Sequence, residues 1–235
     1  MAQFLTDLGQ FGFLRNALAV GLLASVACGI VGTYVVTRRI TAIAGSIAHC
    51  VLGGLGFARW LKTVHHLEGL NSLYGAMAAA LLAAVLIGWV SIRAKRHEDT
   101  VISAIWAIGM AVGILFIFKT PGYNEDLLSY LFGNILMVTA EDLWMVAGLD
   151  AVIVATSLLF YHPFLATCFD EEFARLRGVP VERYYILLLC LTALTVVLLI
   201  TVVGIILVIA LLTLPAAIAG TFSRKLWHMM IAAAL

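Results

Sequence analysis

Long apolar runs alternate with short polar stretches along this chain, and the length of the runs is the first thing to read. A helix needs about 20 apolar residues to cross roughly 30 Å of hydrocarbon. Runs at 12–36, 40–61, 71–92, 100–118 and 143–161 meet that length. The apolar stretch from Tyr184 to Thr221 is longer; as one helix it would extend about 57 Å, almost two bilayer cores. It is therefore split near Gly204 into helices over 184–203 and 204–222. An eighth run starts at Leu226 and reaches Leu235 after about 15 Å, half a bilayer. The natural protein is accordingly expected to continue beyond Leu235. The expected fold is all-α, one polytopic transmembrane bundle of about eight or more helices over residues 1–235.

Composition agrees and narrows the function classes. The 235 residues are 63% hydrophobic and 11% charged, with a mean hydropathy of +1.09. A soluble domain carries roughly 45–50% apolar and about 25% charged residues. A soluble enzyme, a nucleic-acid-binding module and a disordered tail are excluded on that ground. The first residues, MAQFLTDLGQFGFLRNALAV, lack a basic segment followed by a cleavage site, so no removable signal peptide is expected. Phe4, Leu5, Leu8 and Phe11 fall at helical spacing and suggest a short helix lying on the outer surface. Cys28, Cys50, Cys168 and Cys190 lie in or beside apolar runs without paired spacing, and read as small core residues.

The placement of charge sets the orientation. Arg38, Arg39, Arg93, Lys95, Arg96, Arg175, Arg177, Arg183, Arg224 and Lys225 fall in one set of loops; only Arg15, Arg59, Lys62 and Lys119 fall in the other. The cation-rich loops belong in the cytoplasm. The division at Gly204 fits this rule, because one unbroken helix would put Arg183 and Arg224 on opposite sides.

The cytoplasmic segment FDEEFARLRGVPVERYY begins at Phe169. Asp170, Glu171 and Glu172 come early and Arg175 and Arg177 late, which suits a helix macrodipole. Gly178 followed by Pro180 stops the helix. A short charged helix between two spans is either a solvated connector or a docking knob for a cytoplasmic partner.

Ionisable groups inside spans are costly and so count as functional candidates. His49 lies about 14 Å into the second span and Asp150 about 12 Å into the fifth, entering from the other side. Both come near the midplane, where an imidazole and a carboxylate can meet a divalent cation or relay a proton. Hydrogen bonds to neighbouring helices are the plainer alternative. In the external loops, His65, His66 and Glu68 form one polar group, and Glu125, Asp126, Glu141 and Asp142 form an acidic lip. LLSYLFG, within the second of these loops, suggests a short helix against the membrane.

Gly109 and Gly113 in span four, and Gly53, Gly54 and Gly56 after His49, permit close helix approach. Pro215 should bend span seven. Asp99 before Thr100 is expected to cap span four. The four lysines follow Leu61, Ala94, Phe118 and Arg224, so no phosphate-binding GK pair exists. HExxH and GxSxG are also absent from the sequence. The chain is expected not to be an enzyme; any ATP it uses must be hydrolysed by another subunit.

Four stretches, in this order, then become specific: RRITAIAGSIAHCVLGGLG (38–56), EDTVISAIWAIGMAVGILF (98–116), YLFGNILMVTAEDL (130–143), and FDEEFARLRGVPV (169–181) leading to VGIILVIALLTLPAAIAG (203–220). With them the chain resembles the membrane permease subunit of the zinc/manganese/iron-type ABC importers. The resemblance implies a prokaryotic inner-membrane importer of two permeases and two ATPases, fed by an extracytoplasmic solute-binding protein. It implies no permanently bound cofactor: the divalent metal is cargo, zinc first with manganese or iron as alternatives, and ATP sits on the partner. The segment 169–181 would be the coupling helix, carrying Asp170, Glu171, Glu172, Arg175, Arg177 and Gly178 against the ATPase. His49 carries over as a transient metal ligand. Many members pair this histidine with an aspartate four residues earlier; here that position is Gly45, and Asp150 is a candidate to supply the carboxylate from another helix. The alternative from a different class is a proton-coupled secondary transporter using Asp150 and His49.

Overall fold

The computed structural model describes residues 11–64, 71–94, 98–120, 132–133, 135 and 138–235. Among them are nine helices and no strand. They are α1 (Gly12–Thr37), α2 (Thr41–Val64), α3 (Ser72–Arg93), α4 (Glu98–Lys119), α5 (Ala140–Leu159), α6 (Tyr161–Phe169), α7 (Glu171–Leu176), α8 (Val181–Phe222) and α9 (Leu226–Ala234). Seven segments are long and apolar enough to cross a membrane, two of them being the halves of α8, Val181–Ile200 and Val202–Phe222.

Helix ends follow local chemistry. The Asn71 side chain accepts from the Leu73 amide at 3.1 Å and starts α3. Thr139 and Asp142 form a reciprocal capping box that begins α5 at Ala140, three residues before its apolar run. The expected cap at Asp99 is corrected: α4 already starts at Glu98, so Asp99 lies inside the first turn. Both carboxylates there face the positive end of the helix dipole.

α2 is the most enclosed of the spans and packs on α3, α4 and α8. Its small residues make this possible. A methyl group added at Gly53 would meet the Gly109 carbonyl oxygen at 3.0 Å, and one at Gly56 would meet that of Gly113 at 2.7 Å. Ser46 donates to the Ile102 carbonyl at 3.0 Å, and Cys50 to that of Ile105 at 3.5 Å. α2 and α4 therefore touch backbone to backbone, as the glycine spacing anticipated. The other faces of α4 remain open.

α8 is broken at Gly204, whose φ of 75° and ψ of 170° are non-helical. Tyr185, near its start, lies against Arg38 at the end of α1. Ala219, near its finish, clusters with Val36 and Met229, and Thr37 reaches Met229. Both ends of α8 thus return to the same end of α1, so the chain reverses at Gly204, where the sequence division falls. Gly133 packs on this reversal, against Val203 and Gly204. Pro215, expected to bend the second half, keeps helical dihedrals, and the sharp break in α8 is at Gly204. Thr213 donates to the Ile209 carbonyl at 2.7 Å one turn away.

Candidate functional site

His49 sits on the α2 face that meets α4. Its imidazole stacks on the Trp106 indole with centroids 4.6 Å apart and planes 17° from parallel. Nδ1 is buried without a hydrogen-bond partner. One turn earlier, a methyl group at Gly45 would lie 3.4 Å from Ile209 and 3.6 Å from the same Trp106 ring. The surroundings of Gly45 are therefore apolar, and indole contacts take the place of an acid–imidazole pair.

Asp150 is 6% exposed and its Oδ1 lacks a hydrogen-bond partner. It faces α1, within electrostatic range of Cys28, whereas His49 faces α4. α2 and α5 share no extended interface, so this conformation does not bring the two groups together. Among the described residues no group of three or more His, Cys, Asp and Glu is gathered as for a metal ion. His65, His66, Glu68, Glu125 and Asp126 lie outside the described residues, as do Lys95 and Arg96. So do the segment Phe4–Leu8 and most of LLSYLFG.

At the cation-rich end the charged segment forms α7, directly after the short helix α6. The Asp170 side chain accepts from the Phe173 amide at 2.9 Å and caps α7. Glu171 is ion-paired with Arg38, and Glu172 is exposed. Arg175 pairs with Glu182 at 3.0 Å across the turn into α8; both are half exposed, so the pair adds little stability. Arg177 covers the Phe173 ring at 5.0 Å. Gly178, at φ 77°, ends the helix in the left-handed conformation, with Val179 donating to the Ala174 carbonyl at 3.0 Å. Two large apolar side chains of α7 point into open space, Phe173 at 50% exposure and Leu176 at 88%. Beside it, burial pushes the Cys168 thiol up to about 11 despite the opposing Arg38 charge, which leaves it neutral and unreactive.

Two participants escaped the sequence. Trp106 read as one more apolar residue of a span, because stacking depends on how α2 and α4 are rotated against each other. Arg38 read as an orienting charge, and its partners lie more than 120 residues away.

Comparison with known proteins agrees with this geometry. The model of the ABC 3 transport family matches residues 10–235. A Chlamydia trachomatis protein named as a probable metal transport system membrane protein is 46% identical over 94% of this chain and 75% of its own length. The manganese transport system membrane protein MntC of Halalkalibacterium halodurans is 32% identical, covering 99% of this chain and 77% of its own. The solved structure of PsaBC from Streptococcus pneumoniae in complex with Fab superposes with a TM-score of 0.85 at 32% identity, over 99% of this chain and 81% of that one. Helix order, the reversal at Gly204 and the match along nearly the whole chain thus agree: this multi-pass protein of the bacterial inner membrane belongs to the ABC 3 transport family, the permease subunits of metal ABC importers.

Proposed function

We propose that this chain is the permease of an ATP-driven importer of a divalent transition metal, with Mn²⁺ as the favoured cargo. Relatives named for manganese transport match along nearly the whole chain, which ranks Mn²⁺ above the zinc expected from sequence. A single imidazole suits several of these ions, so the pathway chemistry alone does not choose. His49, with a free Nδ1, serves as a transient ligand. Asp150 supplies a carboxylate when the helices rearrange. Few ligands suit a cargo that must leave again. A second permease copy completes the pathway, an extracytoplasmic binding protein delivers the ion, and ATP hydrolysis belongs to a separate cytoplasmic subunit.

The observation that carries this reading is α7. A capped, charged helix stands between two spans at the cation-rich end, with Leu176 uncovered and Phe173 half exposed beside Arg177. Exposed apolar side chains in a polar setting mark an interaction site, and this one suits a cleft on the ATPase. Leu176→Asp should reduce co-purification of the ATPase about tenfold or more, the effect of losing one buried interface anchor. Undiminished co-purification would remove the docking role. Mn²⁺ uptake with no ATPase present would favour the proton-coupled alternative.

A further inference from the structure

The chain turns from α1 into α2 within three residues. Arg39 takes a left-handed φ of 60°, and Arg39 and Ile40 donate to the carbonyls of Val36 and Val35 at 3.1 and 3.0 Å. Arg38 is thereby held rigidly at the junction of two spans, one of which carries His49. Its side chain is only 17% exposed, and both terminal nitrogens of the guanidinium are engaged. One nitrogen is ion-paired with Glu171 at the start of α7. Another donates to the Thr167 carbonyl in α6 at 2.7 Å. The face of the group lies 5.4 Å from the centre of the Tyr185 ring in α8.

The connections continue. The Tyr185 hydroxyl and Ser91 Oγ of α3 are 3.0 Å apart, and Ser91 donates to Glu98 of α4 at 2.7 Å. A cleft of about 290 Å³ beside this chain is lined by Arg38, Arg39, Ser91, Glu98, Glu171 and Tyr185, which leaves the side chains room to move together. Lysine would replace this arginine only in part, since a point charge cannot serve an ion pair, a carbonyl and an aromatic face at once.

We propose that Arg38 is a positioning residue of the transport cycle, carrying displacement of α7 to α2, α3, α4 and α8 through Tyr185, Ser91 and Glu98. The proposal rests on the reading that an ATPase docks on α7, and its test separates the two. The complete transporter, with its ATPase and binding protein, is reconstituted in vesicles, and ATP hydrolysed per Mn²⁺ taken up is measured beside ATPase co-purification. Arg38→Ala should raise that ratio about fivefold or more with the ATPase still bound. Ser91→Ala, at a buried side chain that does not belong to α7, should move it the same way by less, and Arg38→Lys, which keeps the charge alone, should restore it in part. An unchanged ratio in Arg38→Ala and Ser91→Ala overturns the proposal. So does loss of the ATPase from Arg38→Ala with Ser91→Ala normal, since Arg38 would then only support the dock. Should Arg38→Ala not accumulate, Ser91→Ala and Tyr185→Phe decide by the same ratio. If the unaltered protein does not hold the ATPase through α7, it is the docking reading that fails.

Discussion

At Gly45 the immediate neighbours are Ile209 and the ring of Trp106. A methyl group fits there in ordinary contact, but the longer aspartate side chain would have to displace the Ile209 and Trp106 side chains to reach His49, and a carboxylate packed against that apolar surface is costly. Gly45→Ala should therefore leave Mn²⁺ uptake and thermal stability nearly unchanged. Gly45→Asp should lower the melting temperature by several degrees, as expected for a loss of about 1–3 kcal/mol. Adding Trp106→Ala to Gly45→Asp should recover part of that loss by admitting water. A melting curve for the three purified variants decides the matter, and a harmless Gly45→Asp would show that the indole does not govern this position. Residue identity was readable here and neighbourhood was not. The missing aspartate is visible in the sequence, but its replacement by an indole from α4 depends on three-dimensional register.

Among the elements, the α2–α4 pair shows how small residues set a distance between backbones. A side chain at Gly113 would begin 2.8 Å from the Leu52 carbonyl carbon, with only backbone to push against. Gly148, on α5, has nothing within 4 Å of the same point. Gly113→Leu should cost about 1–3 kcal/mol or more through forced separation of the helices. Gly148→Leu should be neutral or slightly stabilising, since glycine is the poorer helix former. The yield of folded protein in detergent, with its melting temperature, distinguishes them, and equal tolerance of both would contradict the close packing. Most element boundaries were legible because a bilayer imposes a length. The starts of α4 and α5 were misjudged by two or three residues, because caps are set by polar residues outside the apolar count.

On the scale of the whole molecule, Arg183 and Arg224 lie at the same end because α8 doubles back at Gly204. Arg224→Cys and Glu172→Cys, in a chain stripped of its own cysteines, should react with a membrane-impermeant maleimide only in inside-out vesicles. Asn71→Cys should react from the other face. Labelling of Arg224→Cys and Glu172→Cys from opposite sides would refute the reversal. This topology was legible from two coarse facts, a run too long for one crossing and arginines at both its ends. The connections at Arg38 were not, since they join residues distant in the chain.

The reversal at Gly204 has a mechanical corollary. Two spans joined by one residue have no slack between them, so neither arm can slide along the membrane normal without dragging the other. A push delivered at Val181 cannot be absorbed in a stretching loop; it must tilt the hairpin as a stiff lever about its far tip. The tip is wedged against Gly133, so such a tilt would pivot at the outer end of the hairpin.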